Sequence, residues 1–122
     1  MRVLQVAQHA EDLDRAAAWY QRVFDAAPAA KFDPPGLLFF QPDNVRLLLN
    51  RSAPSAMLYF QVPDVRVTVE ALRGDGVTID TEPHVIFEHE DDTLGPAGTR
   101  EWMAFVVDSE DNHVGLVSQL PA

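Results

Sequence analysis

The chain repeats itself, and that repeat restricts its fold more than any other feature. Asp12-Leu13 opens the segment DLDRAAAWYQRVF (12–24), and Asp64-Val65 opens DVRVTVEALRGDG (64–76), 52 residues later. Gln5 and Met57 are related by the same offset. Near the end of each half, DNVRLLL (43–49) resembles DNHVGLV (111–117) at an offset of 68. The second half therefore carries about 16 extra residues, which fall most naturally in HVIFEHEDDTLGPAGTRE (84–101) as a longer hairpin or loop. Each half must be one copy of the same supersecondary unit. A single such unit leaves a sheet edge exposed, so two copies are expected to pair.

The elements within each half follow from periodicity. RVLQVAQ (2–8) reads as a strand. In segment 12–24, Leu13, Ala16, Ala17, Tyr20 and Phe24 follow the helical period, and Asp12 suits an N-cap. PAAKFDPPG breaks the pattern. Strands follow at 36–42 and 44–50, joined through Pro42-Asp43, and SAPS (52–55) is a linker. AMLYFQV (56–62) restarts the order as a strand. Segment 64–76 is ambiguous: Val65, Val67 and Val69 alternate as in a strand, whereas Val65, Thr68, Val69 and Leu72 fit a helix. Asp64 as a start cap and Gly74 as an end cap favour the helix. VTID, PHVIFEH, REWMAFVVD and HVGLVS are the remaining strands. The expected fold is α+β: two tandem βαβββ modules, about 1–51 and about 56–120, in one domain over 1–122. They would form a curved, mainly antiparallel sheet around a concave pocket, with both helices outside.

Composition narrows the function. A chain of 122 residues with 47% hydrophobic content can bury a core, and its formal charge of −10 disfavours nucleic acid and anionic membranes. It has no cysteine, so disulfides, thiolate nucleophiles and thiolate metal sites are excluded. No apolar run approaches the roughly 20 residues that span a bilayer. The start, MRVLQVAQHAEDL, turns polar too soon for a signal peptide, so a cytoplasmic location is expected. There is no phosphate-cradling glycine motif, nucleophile elbow or Ser/His/Asp arrangement at a familiar spacing.

FVVDSEDNHVGL (105–116) reads as a hairpin whose second strand places Gly115 between Val114 and Leu116. Glycine inside a strand gives up packing, and so it needs a reason. VLQVAQHAEDLDRAAAWYQRVF, MLYFQVPDVRVTVEAL and EWMAFVVDSEDNHVGL together resemble the vicinal oxygen chelate superfamily, the glyoxalase, bleomycin-resistance and extradiol-dioxygenase group. The closing hairpin is similar to that group's D-P-D-G-N turn, with Ser109 in place of the proline and Asp111 in place of the glycine. The resemblance covers essentially the whole chain. It implies four inward-facing ligand positions for a metal, which fall here on Gln5, Leu47, Met57 and Gly115, with Leu47 fixed by the repeat to within a residue. One amide, a leucine, a thioether and a glycine do not make a site for a divalent cation. The expectation is no metal and no cofactor, with Gly115 widening a ligand cavity. The resemblance also makes a homodimer the expected assembly.

Other residues bear on the site. Alternation places Tyr59 inward, together with either Trp102 or Met103 and Phe105; a one-residue register slip exchanges the last choice. Aromatic and thioether groups suit flat, apolar or cationic ligands, and Glu101 could pair with a cation. His9 shares strand parity with Gln5; it either acts as acid or base at the mouth of the pocket or caps the strand end. His84 and Glu88 share a strand face, with His89 on the other, so His84, Glu88 and Glu101 form a conceivable displaced metal cluster. EHEDD (88–92) followed by TLGPAG reads as an acidic, mobile loop. The leading expectation is a metal-independent small-molecule binder contacting Gln5, His9, Leu47, Met57, Tyr59, Glu101, Trp102 and Gly115. The alternative is a metal-dependent lyase, isomerase or dioxygenase using displaced ligands, and a metal-free catalyst using His9 or Glu101 lies between the two.

Overall fold

The computed structural model describes residues 2–41 and 43–122. Its elements run β1 (Arg2–His9), α1 (Leu13–Phe24), β2 (Ala30–Phe32), β3 (Leu37–Phe40), β4 (Arg46–Asn50), β5 (Met57–Gln61), α2 (Val65–Gly74), β6 (Thr78–His89), β7 (Thr99–Val107) and β8 (His113–Pro121). This is βαβββ written twice, the α+β architecture that the repeat predicts. The chain divides into two compact units, Gln5–Met57 and Leu58–Ala122, the latter joined by the residues up to Leu4. Among the described residues no helix is long and apolar enough to cross a membrane.

In the first unit the strand order is β2-β3-β4-β1. β1 runs parallel to β4, and the other pairs are antiparallel. α1 starts where Asp12 accepts a hydrogen bond from the Arg15 amide at 2.9 Å, and it stops at Asp25 in the left-handed region at φ 54°. Its apolar stripe buries Leu13 against Leu38, Phe40 and Leu49, with Ala16, Ala17, Tyr20 and Leu47 packed around them. Each fully buried side chain of this kind contributes roughly 1.5–3 kcal/mol. β2 is the one strand that the sequence does not foretell. Three residues among prolines show no periodicity, and the segment is a strand only because it pairs with β3. Pro42, in the expected β3–β4 connection, lies outside the described residues.

In the second unit the order is β5-β8-β7-β6, again with one parallel pair, β5 with β8. The ambiguous segment 64–76 is a helix. Val65 and Val69 are fully buried, whereas Val67 is 68% exposed, which a strand reading would not allow. Asp64 caps the start by accepting from the Arg66 amide at 2.9 Å. VTID and PHVIFEH merge into the single strand β6, whose pairing with β7 slips at three places between Ile79 and Phe87. The β7–β8 turn is closed by Asp108, which accepts from the backbone amides of Glu110 and Asn112 at 2.8 Å. Asp111 takes the left-handed conformation there at φ 64°, a strain that aspartate tolerates better than most residues.

The first amide of α2 is anchored from the sheet: Val65 N–H donates to Ser118 Oγ at 2.9 Å, both residues being fully buried. Ser118→Ala should therefore destabilise the protein by about 1–3 kcal/mol, the usual cost of orphaning a buried amide. Urea unfolding reads this directly; a change within experimental error would show that the bond contributes nothing.

Candidate functional site

Each four-stranded sheet has one face under its helix and one face away from it. In the second unit Tyr59, Gly115 and Phe105 stand side by side across β5, β8 and β7 on the helix-free face. The Tyr59 and Phe105 rings meet edge to face at 5.8 Å. Glu101 and Met103 lie on the same face by alternation along β7, and both are buried. Met57 opens β5 two residues before Tyr59, half-buried on the same side of the strand.

Trp102 does not join them. It packs against the α2 side of the sheet, with Val69, Ala104 and Leu116, and the Arg66 guanidinium stands 4.6 Å over its ring. Its expected place on the ligand face is therefore corrected, and the register settles on Met103. The side chain of His9 is a surface anchor: its Nδ1 lies 3.2 Å from the Ala53 carbonyl and its Nε2 2.8 Å from Glu11. That is the strand-end reading of His9.

Gly115 has a reason other than the expected one. A Cβ at this position would lie 2.9 Å from Cγ and Cε2 of Tyr59 and closer still to Cδ2. The missing side chain does not leave a cavity; the Tyr59 ring fills it.

In the first unit Gln5 is buried beside Arg46, its Cα partner across β1 and β4. The Arg46 guanidinium lies 5.8 Å from the centre of the Phe39 ring. Leu47 faces the other way, into the α1 core. The sheet register identifies the counterpart of Gly115 as Leu48: Ala7 pairs with Leu48 as Tyr59 pairs with Gly115. β4 and β8 are offset by 67 rather than 68, so the fourth position moves from Leu47 to Leu48, within the one-residue margin of the repeat. The four positions are thus Gln5, Leu48, Met57 and Gly115. A cation needs several oxygen or imidazole donors, so this set does not fit a metal.

The displaced cluster does not assemble either. Val85 is opposite Trp102, but Phe87 is opposite Glu101, so Ile86 is an extra residue in β6. Every residue after this bulge changes face. His89 is thereby turned onto the Glu101 side, where its Nε2 meets Glu101 Oε1 at 2.9 Å with both side chains buried. Gln119 donates to the same oxygen at 3.0 Å. Glu88 turns away and pairs with Arg100 at 2.9 Å on the surface, while His84 Nδ1 meets the Glu82 carbonyl at 2.9 Å. Among the described residues no group of three or more His, Cys, Asp or Glu side chains could hold a metal. Glu101 is instead a positioned carboxylate held by an imidazole and an amide. The 90–98 loop closes against it: a Cβ on Gly95 would come within 2.6 Å of Gln119 Nε2 and 2.9 Å of the His89 ring.

Sequence reasoning missed His89, Gln119 and Arg46. Gln119 was legible by alternation from Gly115 and Val117. For His89 the only warning was Pro83 inside a strand, a residue that marks edges and irregular pairing.

The Gly115–Tyr59 contact gives a sharp expectation. Gly115→Ala should cost about 1–3 kcal/mol by overpacking, and much less in a Tyr59→Ala background. A double-mutant cycle in urea checks this; equal costs in the two backgrounds would mean that the ring does not occupy the position.

Known proteins share this architecture. A family model described as Glyoxalase/Bleomycin resistance protein/Dioxygenase superfamily matches residues 2–100. No curated protein matches the chain in sequence. A glyoxalase/bleomycin resistance protein/dioxygenase superfamily member from Vibrio splendidus 12B01 superposes with a TM-score of 0.68 at 10% identity, over 98% of each chain. A hypothetical protein from Bacillus halodurans C-125 gives 0.68 at 12% identity, over 95% of this chain and 92% of the other. A variant of Streptomyces coelicolor methylmalonyl-CoA epimerase in complex with 2-nitronate-propionyl-CoA gives 0.67 at 14% identity, over 96% of each chain. At such identities the likeness is one of fold. The family model, matching most of the chain, goes further: the protein belongs to the glyoxalase/bleomycin resistance protein/dioxygenase superfamily.

Proposed function

We propose that the protein binds a small molecule without a metal, using the helix-free sheet face, and that Gln5 accepts a hydrogen bond from the ligand. One observation carries this reading. Gln5 is 3% exposed, and its amide oxygen has no hydrogen-bond partner among the described residues. A buried acceptor left unpaired costs about 1–3 kcal/mol, so native structures tend to retain one where water or a ligand satisfies it. Gln5 stands at a position that metal-bearing relatives, by resemblance, use for a ligand. Here its three counterparts are Leu48, Met57 and Gly115, and the amide alone cannot retain a cation.

In the second unit the equivalent face presents Tyr59, Met103 and Phe105, an aromatic and thioether surface. Such a surface suits a flat ligand. A molecule carrying an N–H donor meets the requirement that Gln5 sets. The proposal includes a homodimer and a cytoplasmic location, as the resemblance and the sequence suggest.

6-Aminoquinoline is a suitable first probe: flat, fluorescent and bearing N–H donors. Saturable binding is expected, unchanged by a chelator. Gln5→Leu should weaken it about tenfold while leaving the unliganded protein as stable as before or more so, because it deletes the unpaired group. Binding that a chelator abolishes, or that Gln5→Leu leaves intact, would contradict the proposal.

A further inference from the structure

The two modules solve the same packing problem differently, and the difference leaves a groove. In the first unit the sheet end beside the last turn of α1 is filled by aromatics. Tyr20 lies 5.2 Å from Phe40 and 6.1 Å from Phe24, ring to ring. The hollow that remains there, lined by these rings with Ala26, Ala27, Gln41 and Leu47, measures about 310 Å3. The repeat identifies the counterparts in the second unit. Tyr20 corresponds to Leu72 and Phe24 to Gly76 at the offset of 52. Phe40 pairs with Leu47 across its sheet as Val106 pairs with Val114, so Phe40 corresponds to Val106. Three rings have become a leucine, a glycine and a valine. The space released is visible: the equivalent groove, between the end of α2 and strands β5, β8 and β7, measures about 600 Å3.

The lining decides what could enter. Phe60, Leu72, Val77, Val106, Val114 and Leu116 form an apolar floor. Thr68, Thr78, Ser109 and Asp108 add hydroxyls and one carboxylate, and among the described residues no Lys, Arg or His lines the groove. Asp108 accepts from the Glu110 and Asn112 amides and from the Asn112 side chain at 3.0 Å, and the Asn112 backbone bond above all holds its carboxyl below the usual carboxylate range. The rim is therefore anionic at neutral pH and disfavours acids. The volume is that of an ordinary small-molecule site.

We propose that this groove is a second ligand site, separate from the Gln5 face, that takes an apolar molecule with an uncharged or cationic polar end. Occupancy would replace on α2 the aromatic packing that α1 has built in. The ligand's apolar body would cover Leu72, Val106 and Val114, and its polar end would meet the threonine hydroxyls and the Asp108 carboxylate.

1-Aminoanthracene, a neutral fluorescent amine, is the probe, with 1-anthracenesulfonate as its anionic counterpart. The intact chain should bind the amine saturably and the sulfonate at least about tenfold more weakly. Leu72→Trp rebuilds an aromatic plug; Thr78→Trp blocks the rim from an exposed position and leaves the core alone. Each should weaken the amine about tenfold or more, with a native circular dichroism spectrum confirming the fold. The titrations are run in the Gln5→Leu background, which removes any share that the Gln5 face takes in amine binding, so failure of the Gln5 reading and failure of the groove can be told apart. No saturable binding by the wild type, equal affinity for the sulfonate, or full affinity in folded Thr78→Trp would each overturn the proposal.

Discussion

The Tyr59 ring rests on the bare backbone of Gly115, and much of the second module's helix-free face follows from that contact. Parallel pairing of β5 with β8 sets the two residues side by side. Any side chain at position 115 would enter the ring. The position where the superfamily resemblance implies a metal ligand is thus occupied by a neighbouring aromatic ring. Phe105 then stacks edge-on against Tyr59. In the first module the matching position is Leu48, also apolar and also buried. A reversion at one position would not restore a cation site, since Tyr59 would have to move and Leu48 and Met57 would still lack donors.

The polar groups that remain buried are arranged for something other than a hard cation. His89 and Gln119 both address one oxygen of Glu101, beneath a loop whose Gly95 can approach because it has no side chain. A buried carboxylate satisfied in this way is held in one orientation rather than left to seek a metal. Gln5 differs in keeping an acceptor without a partner among the described residues. That asymmetry, one network closed and one amide open, is what directs the functional reading to the Gln5 face.

The repeat made the fold legible because it doubled every weak signal. Asp12 and Asp64 mark both helix starts, and the caps Asp64 and Gly74 decide segment 64–76, where alternation and the helical period both fit. The site was legible only where a strand keeps its register. Along β7 and β8 alternation holds, and it sets Phe105 opposite Gly115, but Trp102 against Met103 was the choice that alternation alone could not make. Along β6 the extra residue at Ile86 inverts the pattern, and no local feature of VIFEH announces it. Leu47 was off by one residue for a different reason: counting from the two Asp-Asn turns cannot see that Val45 separates the turn from β4, whereas β8 starts directly after Asn112.

The measurement that tests the account most directly is elemental analysis of the purified protein, with divalent metals offered and then dialysed away. Gln5, Leu48, Met57 and Gly115 offer a cation too few donors, so the metal content should stay well below one atom per chain for every metal tried. One tightly held metal per chain, surviving dialysis, would contradict the account and show that the Tyr59 ring yields its place to a cation.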